Sequence, residues 1–238
     1  MGFGTTLGHQ LLKQLVAPGC RRFEQHLGEL ERVQRARLSR WLAAAAPTPE
    51  GQRLGIQADW TWEEFAQHRP LTTYKDYADV LERQRATREC LLIDSPTMRY
   101  QPTSGSTSAV KWIPYSKLFL AELDEVITAW FGDLYRQFPK QTAGTHYWSL
   151  SWIPTEMRSQ TAGDINDDMK MLSWGKRLLA YLTQAVPQDV ALAETSDDSL
   201  FATIAHLCAD ESLGFISVWS PTFALGAMEQ MSRWRLEL

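Results

Sequence analysis

A nine-residue stretch, Thr103 to Lys111, has the composition of a phosphate-binding loop. It reads TSGSTSAVK and contains five hydroxyl side chains, one glycine and one lysine. Small residues let backbone N–H groups approach an anion, hydroxyls add further donors, and Gly105 can adopt backbone angles that other residues avoid. Lys111 adds a positive charge that suits a phosphate. Composition alone more often marks a solvated turn, but the pattern also predicts an exposed loop that holds the phosphates of a nucleotide.

Two other motifs compete for these residues. A Walker A loop needs glycine before its lysine and Ser or Thr after it, whereas Lys111 lies between Val110 and Trp112. Ser108 and Lys111 fit the S-x-x-K of penicillin-recognising serine acyl-enzymes, but that motif requires a helix, and Pro114 opposes one. No KTG triad is present. A nucleotide loop is therefore favoured, and the serine acyl-enzyme is the lesser alternative.

The segments before residue 96 have helical patterns. Apolar residues recur at helical spacing on both sides of Pro18 and Gly19, so the first forty residues are predicted to be helical with a break at that pair. Thr61 and Thr73 are each followed three residues later by an acidic residue, which predicts capping boxes at the start of two more helices. Residues 1–95 are thus predicted to be mainly helical.

The pattern after residue 96 alternates between strands and helices. Strands are predicted on both sides of the loop, at residues 98–101 and 112–114, and the apolar period over 119–138 predicts a long helix. Further predicted segments are strands at 146–151 and 214–219, a polar loop at 163–168, and helices at 172–184, 199–208 and from 221 onward. This order favours an α/β fold over residues 96–238, behind the helical N-terminal region.

Composition and charge exclude several classes of protein. With 44% hydrophobic and 22% charged residues in 238, the chain is predicted to form one globular domain over residues 1–238. A net charge of −4 with interleaved signs argues against a nucleic-acid partner. No apolar run approaches the ~20 residues of a membrane span. The three cysteines lack disulfide or zinc spacing, which favours a reducing, cytoplasmic location.

The loop and its flanks together resemble one enzyme family. TSGST followed by lysine is similar to the phosphate loop of the acyl-adenylate-forming superfamily, although positions 108 and 110 carry Ser and Val where glycine and proline are common. The KWIP run from Lys111 resembles the K-x-I-P segment of the auxin-responsive (Gretchen Hagen) acyl-acid amido synthetases. Three more stretches resemble segments of that family, namely residues 48–55, 70–77 and 216–223.

The resemblance implies an ATP- and Mg²⁺-dependent ligase. Such an enzyme activates a small carboxylic acid as acyl-AMP and then transfers the acyl group to an amine or an amino acid. The residues implied to bind the nucleotide are Thr103, Ser104, Gly105, Ser106, Thr107, Ser108 and Lys111. No catalytic or metal-binding residue is assigned. In the superfamily the remaining contacts come from later segments, so the chain is expected to be an incomplete N-terminal domain that is inactive without a C-terminal portion. A non-catalytic binding or scaffold module is the alternative.

The other polar and aromatic candidates have structural interpretations. His146 lies in an apolar strand pattern, so it is predicted to be a hydrogen-bonded core residue. Three acidic residues between positions 164 and 168 lack EF-hand spacing and are predicted to be solvated. The tryptophans are predicted to be in the core, with Trp148 and Trp152 as candidates to line an acyl pocket.

Overall fold

The computed structural model describes residues 3–103, 111–152, 154–158, 166–167, 172–218 and 220–238. These residues form a mixed α/β structure that is mostly helical with small sheets, in agreement with the predicted fold class. The helices are α1 (Phe3–Leu27), α2 (Leu30–Ala45), α3 (Pro49–Arg53), α4 (Trp62–His68), α5 (Ala78–Thr87), α6 (Lys117–Gln137), α7 (Thr155–Arg158), α8 (Trp174–Tyr181), α9 (Ser196–Ala209) and α10 (Pro221–Arg233). The strands are β1 (Thr97–Pro102), β2 (Trp112–Ser116), β3 (Thr145–Trp148), β4 (Leu150–Ser151), β5 (Asn166–Asp167) and β6 (Leu213–Ser217).

The chain divides into two compact units. We call Arg22–Leu120 the inner unit, because this continuous stretch lies in the sequence between the two segments of the other unit. The split unit combines Met1–Arg21 with Ala121–Leu238. The sequence-based prediction of a single domain stays a prediction. Nowhere in the described part of the chain does a helix combine the length and apolar character that a membrane span requires.

The first of the two predicted capping boxes forms at the start of α4. Thr61 Oγ1 accepts a hydrogen bond from the Glu64 N–H (3.2 Å), and the Glu64 carboxylate accepts one from the Thr61 N–H (2.8 Å). The second predicted box behaves differently. The Asp76 carboxylate accepts from the Thr73 N–H (2.6 Å), which lowers the pKa of Asp76, but the residues it caps form a 3₁₀ turn. α5 begins only after that turn, at Ala78.

The segment that connects α2 to α3 is held by one buried hydroxyl. Thr48 Oγ1 donates to the Ala45 carbonyl (2.7 Å) and accepts from the Gly51 N–H (3.0 Å). This bond pair joins the last turn of α2 to the first turn of α3, where helix ends otherwise leave backbone groups unpaired. The segment at residues 48–55 therefore has a structural role in the inner unit.

The connection from α5 to the first strand depends on Gln84, whose side chain is buried. Its Oε1 accepts from the N–H groups of Leu91 (3.0 Å) and Leu92 (3.1 Å). Its Nε2 donates to Thr97 Oγ1 (3.1 Å), at the start of β1. Because one amide satisfies two loop N–H groups and a strand hydroxyl, Gln84 fixes the path by which the chain enters β1.

The predicted helix break at Pro18 and Gly19 is wrong, because α1 continues through both residues. Proline removes one N–H from a helix, but tertiary packing can offset that loss. A Cβ added to Gly19 would lie 2.3 Å from Thr128 Cγ2 on α6. The absence of a side chain at Gly19 thus allows close approach of α6, and the chain breaks instead after Leu27.

The described part of the split unit contains two small sheets. β3 and β6 pair in parallel, with His146 opposite Phe215, and β4 and β5 pair antiparallel, with Leu150 opposite Asp167. The predicted polar loop at 163–168 is therefore corrected at Asn166–Asp167, which form a short strand; its other residues lie outside the described ranges. The hydrophobic core of the split unit includes the buried residues Tyr147, Leu150, Val186 and Ala191.

Candidate functional site

A β-hairpin in the inner unit brings the two ends of the predicted phosphate loop together. β1 and β2 pair antiparallel, and the last registered pair is Pro102 with Trp112. Beyond that pair the Thr103 N–H donates to the Lys111 carbonyl (2.9 Å), which closes the base of the loop. The prediction that two strands flank the loop is therefore confirmed.

The central residues of the loop are outside the part of the chain that the structure describes. These are residues 104–110, which include Ser104, Gly105, Ser106, Thr107 and Ser108. Their contacts with phosphate stay predictions. Only Thr103 and Lys111, of the seven residues implied to bind nucleotide, have a described position.

The exit of the loop is held by Tyr74. Its hydroxyl accepts a hydrogen bond from the Trp112 N–H (3.0 Å), so this backbone donor is satisfied from outside the hairpin. The exposed Lys111 ammonium lies 5.7 Å from the centre of the Tyr74 ring, within the range of a cation–π contact. Tyr74 therefore contacts both the charge and the backbone at the point where the loop returns to β2.

A second cationic side chain, Arg85, packs on Trp112 where the chain leaves the loop. The Arg85 guanidinium carbon lies 4.9 Å from the centre of the Trp112 ring, and the Arg85 side chain also pairs with Glu82 (2.9 Å). The Trp112 ring is thus covered by an arginine that α5 supplies. Lys111 precedes Trp112 and is exposed, so its ammonium can contact the phosphate of a ligand.

These contacts bring together stretches that are far apart in the sequence. Residues 70–77 supply Tyr74, which lies 38 positions before Trp112. The Thr73 and Asp76 pair fixes the turn that carries Tyr74. Sequence reasoning placed both stretches in the same family but did not identify Tyr74 or Arg85 as part of the site. The only available signal was the 70–77 stretch itself, which contains two tyrosines, Tyr74 and Tyr77.

A serine–histidine pair in the split unit has a different character. His146 Nε2 lies 2.6 Å from Ser217 Oγ, a distance that also suits a nucleophile and its base. The histidine is fully buried, and its ring stacks on Phe215 with centroids 3.8 Å apart. Burial lowers the pKa of His146 well below its usual range, with a smaller effect from the nearby His9. Its Nδ1 has no partner among the described residues, so no carboxylate orients it. The prediction of a hydrogen-bonded core histidine is confirmed.

The two candidate tryptophans are also structural in the described residues. Trp148 is buried and stacks on Phe131 with centroids 4.9 Å apart. Trp152 is half-buried and its Nε1–H donates to the Ala193 carbonyl (3.0 Å). The proposal that either lines an acyl pocket stays a prediction. Within the described ranges, no group of three or more His, Cys, Asp or Glu side chains could hold a metal ion.

Comparison with known proteins gives two positive findings. The sequence model of the GH3 family N-terminal domain matches residues 19–238. Among solved structures, a GH3.15 acyl acid amido synthetase matches with a TM-score of 0.67 at 16% sequence identity. The match covers 92% of this chain and 39% of that protein, so the chain spans about two fifths of the length of that relative. No curated protein matches the chain.

Proposed function

Because the chain belongs to the GH3 family, as an N-terminal domain of that family, we propose that it is the nucleotide-binding part of an acyl acid amido synthetase. The reaction joins a carboxylic acid to an amine in two steps. The acid carboxylate attacks the α-phosphate of ATP, which gives acyl-AMP and pyrophosphate. The amine of a second substrate, such as an amino acid, then displaces AMP and forms the amide.

The observation that supports this proposal most directly is the closed base of the loop. Thr103 and Lys111 are joined through their backbones, and the lysine ammonium is exposed beside Tyr74. A small-residue loop with a cation at its mouth fits the polyphosphate of ATP. ATP supplies the leaving group that a carboxylate lacks. The chain itself contributes binding: Lys111 places a positive charge near the phosphates, and Tyr74 limits where that charge can go.

Mg²⁺ is expected to accompany ATP, but no residue of this chain is assigned to it. Carboxylates and waters are the usual ligands of this ion, and the described residues contain no acidic cluster at the loop exit. We therefore propose only that the metal binds with the triphosphate.

The contribution of Lys111 can be measured by isothermal titration of MgATP into the chain. We expect Lys111→Ala to weaken ATP binding roughly tenfold, because one charge-assisted contact with a phosphate is lost. Lys117→Ala is the matched control, since Lys117 is also exposed but lies at the start of α6. We expect that variant to bind ATP within about twofold of the wild type. Equal ATP affinity in the Lys111→Ala and wild-type chains would remove Lys111 from the site.

Adenylation itself can be measured as acid-dependent exchange of radiolabelled pyrophosphate into ATP, over a panel of aromatic, fatty and amino acids. We expect the 238-residue chain to show none, because catalysis requires ATP, metal and carboxylate to be held together. The loop alone contributes contacts that act equally on the ground and transition states. Robust exchange by this chain would show that it holds a complete site. Absence of both exchange and ATP binding would favour the alternative of a non-catalytic module.

A further inference from the structure

Arg99 is a buried arginine with no acidic partner among the described residues. It lies in β1 and is 8% exposed. None of its three guanidinium nitrogens has a hydrogen-bond partner in the described part of the chain. Buried charged groups are normally paired, because the cost of removing a charge from water is large unless a partner repays it. Arg99 therefore requires an explanation.

One aromatic ring offsets part of this cost. Tyr115 lies opposite Arg99 in the register of the hairpin, and the Arg99 guanidinium carbon is 4.8 Å from the centre of the Tyr115 ring. The electron-rich face of the Tyr115 ring attracts the guanidinium cation. It provides no acceptor for the five N–H donors that point outward in the guanidinium plane. The donors of Arg99 thus have no acceptor among the described residues.

Other arginines of the inner unit do meet acidic residues. Arg53 pairs with Glu50, Arg35 with Glu63 (2.9 Å), and Arg85 with Glu82 (2.9 Å). Each of these three arginine side chains is more exposed than Arg99, so an unpaired charge would cost less free energy there than at Arg99. In the inner unit, Arg99 is thus both buried and without a described hydrogen-bond partner, and an unpaired charge lowers the stability of the fold most at a buried position. A cost in stability without a structural return is typical of a binding site.

We propose that Arg99, with Tyr115 on one face of its guanidinium, forms an oxyanion site for a carboxylate or phosphate group of a small molecule. The planar fork of an arginine matches these groups in a bidentate manner. Gln101 lies on the same face of β1 two residues on, so its half-buried amide is available as a further donor.

This site differs in sequence position from the described base of the phosphate loop, Thr103 and Lys111. Arg99 lies four residues before Thr103, a distance of about 13 Å along an extended strand. The proposal does not depend on ATP binding, because it rests on the burial and the unpaired donors of Arg99 alone.

The test follows the Arg99 Nε–Hε resonance by ¹⁵N NMR, identified by its absence in Arg99→Met. The probes are sodium acetate and sodium phosphate, compared with sodium chloride at equal ionic strength. We expect a saturable shift with acetate, with phosphate or with both, and none with chloride. A response to acetate alone would assign the site to carboxylates, and a response to phosphate alone to phosphoryl groups. Arg99→Lys keeps the charge without the fork, and it should bind the responding anion about tenfold more weakly.

Thermal melting supplies a second readout, with Arg35→Met as the matched control, because Arg35 is an exposed arginine of the same unit that lies in neither proposed site. Without added anion, we expect Arg99→Met to melt at or above the wild-type temperature, because it removes an unpaired buried charge and keeps an apolar side chain of similar length. The responding anion should raise the melting temperature of the wild type and of Arg35→Met by clearly more than that of Arg99→Met. No saturable effect of acetate or phosphate would overturn the proposal. So would an Arg99→Met chain that melts well below the wild type, since Arg99 would then serve only the fold.

Discussion

The free energy of unfolding should fall steeply below about pH 6.5, because two buried histidines of the split unit stay neutral in the folded chain. His9 Nε2 faces the Gly144 carbonyl (2.7 Å), and its Nδ1 lies 2.8 Å from the Tyr135 hydroxyl. A neutral ring satisfies both contacts if Nε2 carries the proton and Nδ1 accepts from the tyrosine. Burial raises the pKa of Tyr135, which keeps that hydroxyl protonated as a donor.

Both histidines are shifted in the same direction. Burial lowers the pKa of His9, and the bond to the Gly144 carbonyl opposes that change in part. Burial lowers the pKa of His146 further. The unfolded chain therefore binds more protons than the folded chain once the pH falls through the unfolded value, near 6.5. Stability is fully present above that value and is lost as the pH falls from there towards the folded pKa of each residue.

Below the unfolded pKa the slope can reach about 1.4 kcal/mol per pH unit for each histidine that stays neutral, and about 2.7 kcal/mol per pH unit for the two together. Urea unfolding at pH 7.5, 6.5 and 5.5 measures it, in a range where ordinary carboxylates stay ionised. His9→Gln and His146→Gln should each reduce the slope, and His146→Gln by at least as much as His9→Gln, because the pKa of His146 is lowered further. His206→Gln is the control, because His206 is exposed on α9. If both core variants retain the full slope, the source of the pH dependence lies elsewhere.

Gly51→Ala is expected to destabilise the inner unit by about 3 kcal/mol or more. A Cβ at this position would lie 1.9 Å from the Ala45 carbonyl oxygen and 3.1 Å from Thr48 Oγ1. The carbonyl is fixed backbone that already accepts from the Thr48 hydroxyl (2.7 Å). The added methyl group therefore has to separate the end of α2 from the start of α3, which also breaks the bond from the Gly51 N–H to Thr48.

Gly28→Ala is the matched control for this prediction. A Cβ at Gly28 would meet its nearest atom, the Gln25 carbonyl oxygen, at 3.6 Å, an ordinary van der Waals distance. We expect its effect to stay within about 1 kcal/mol of the wild type, and it can be stabilising because alanine restricts the unfolded chain. Urea unfolding of the two variants gives the comparison. Equal stabilities would show that the α2–α3 segment adapts without cost.

Features that depend on nearby residues were predictable from the sequence. The Thr61 capping box, the strands beside the loop and the long helix α6 each follow from residues within a few positions of one another. Such patterns contain most of the information that decides the local structure. The family-like loop was found in the same way, from its composition and its lysine.

Features that depend on distant contacts were not predictable. The packing of Gly19 against Thr128 decides that α1 continues, although the local preference of Pro18 favours a break. The bond from Trp112 to Tyr74 and the burial of Arg99 likewise depend on the tertiary structure. No periodic pattern marks a residue whose role is set by a partner many positions away. The loop could therefore be predicted in outline, and the residues that support it could not.

During synthesis, the start of α1 leaves the ribosome well before the residues that it packs against. His9 bonds to Tyr135 and to Gly144, which follow it by 126 and 135 positions. At about 5–20 residues per second, the ribosome needs roughly 6–25 s to deliver the first of them. Meanwhile the inner unit emerges as one continuous stretch, but Leu12 and Val16, each 2% exposed in the finished protein, still face water. We therefore expect the nascent N-terminal helix to be the segment of this chain that most requires a chaperone.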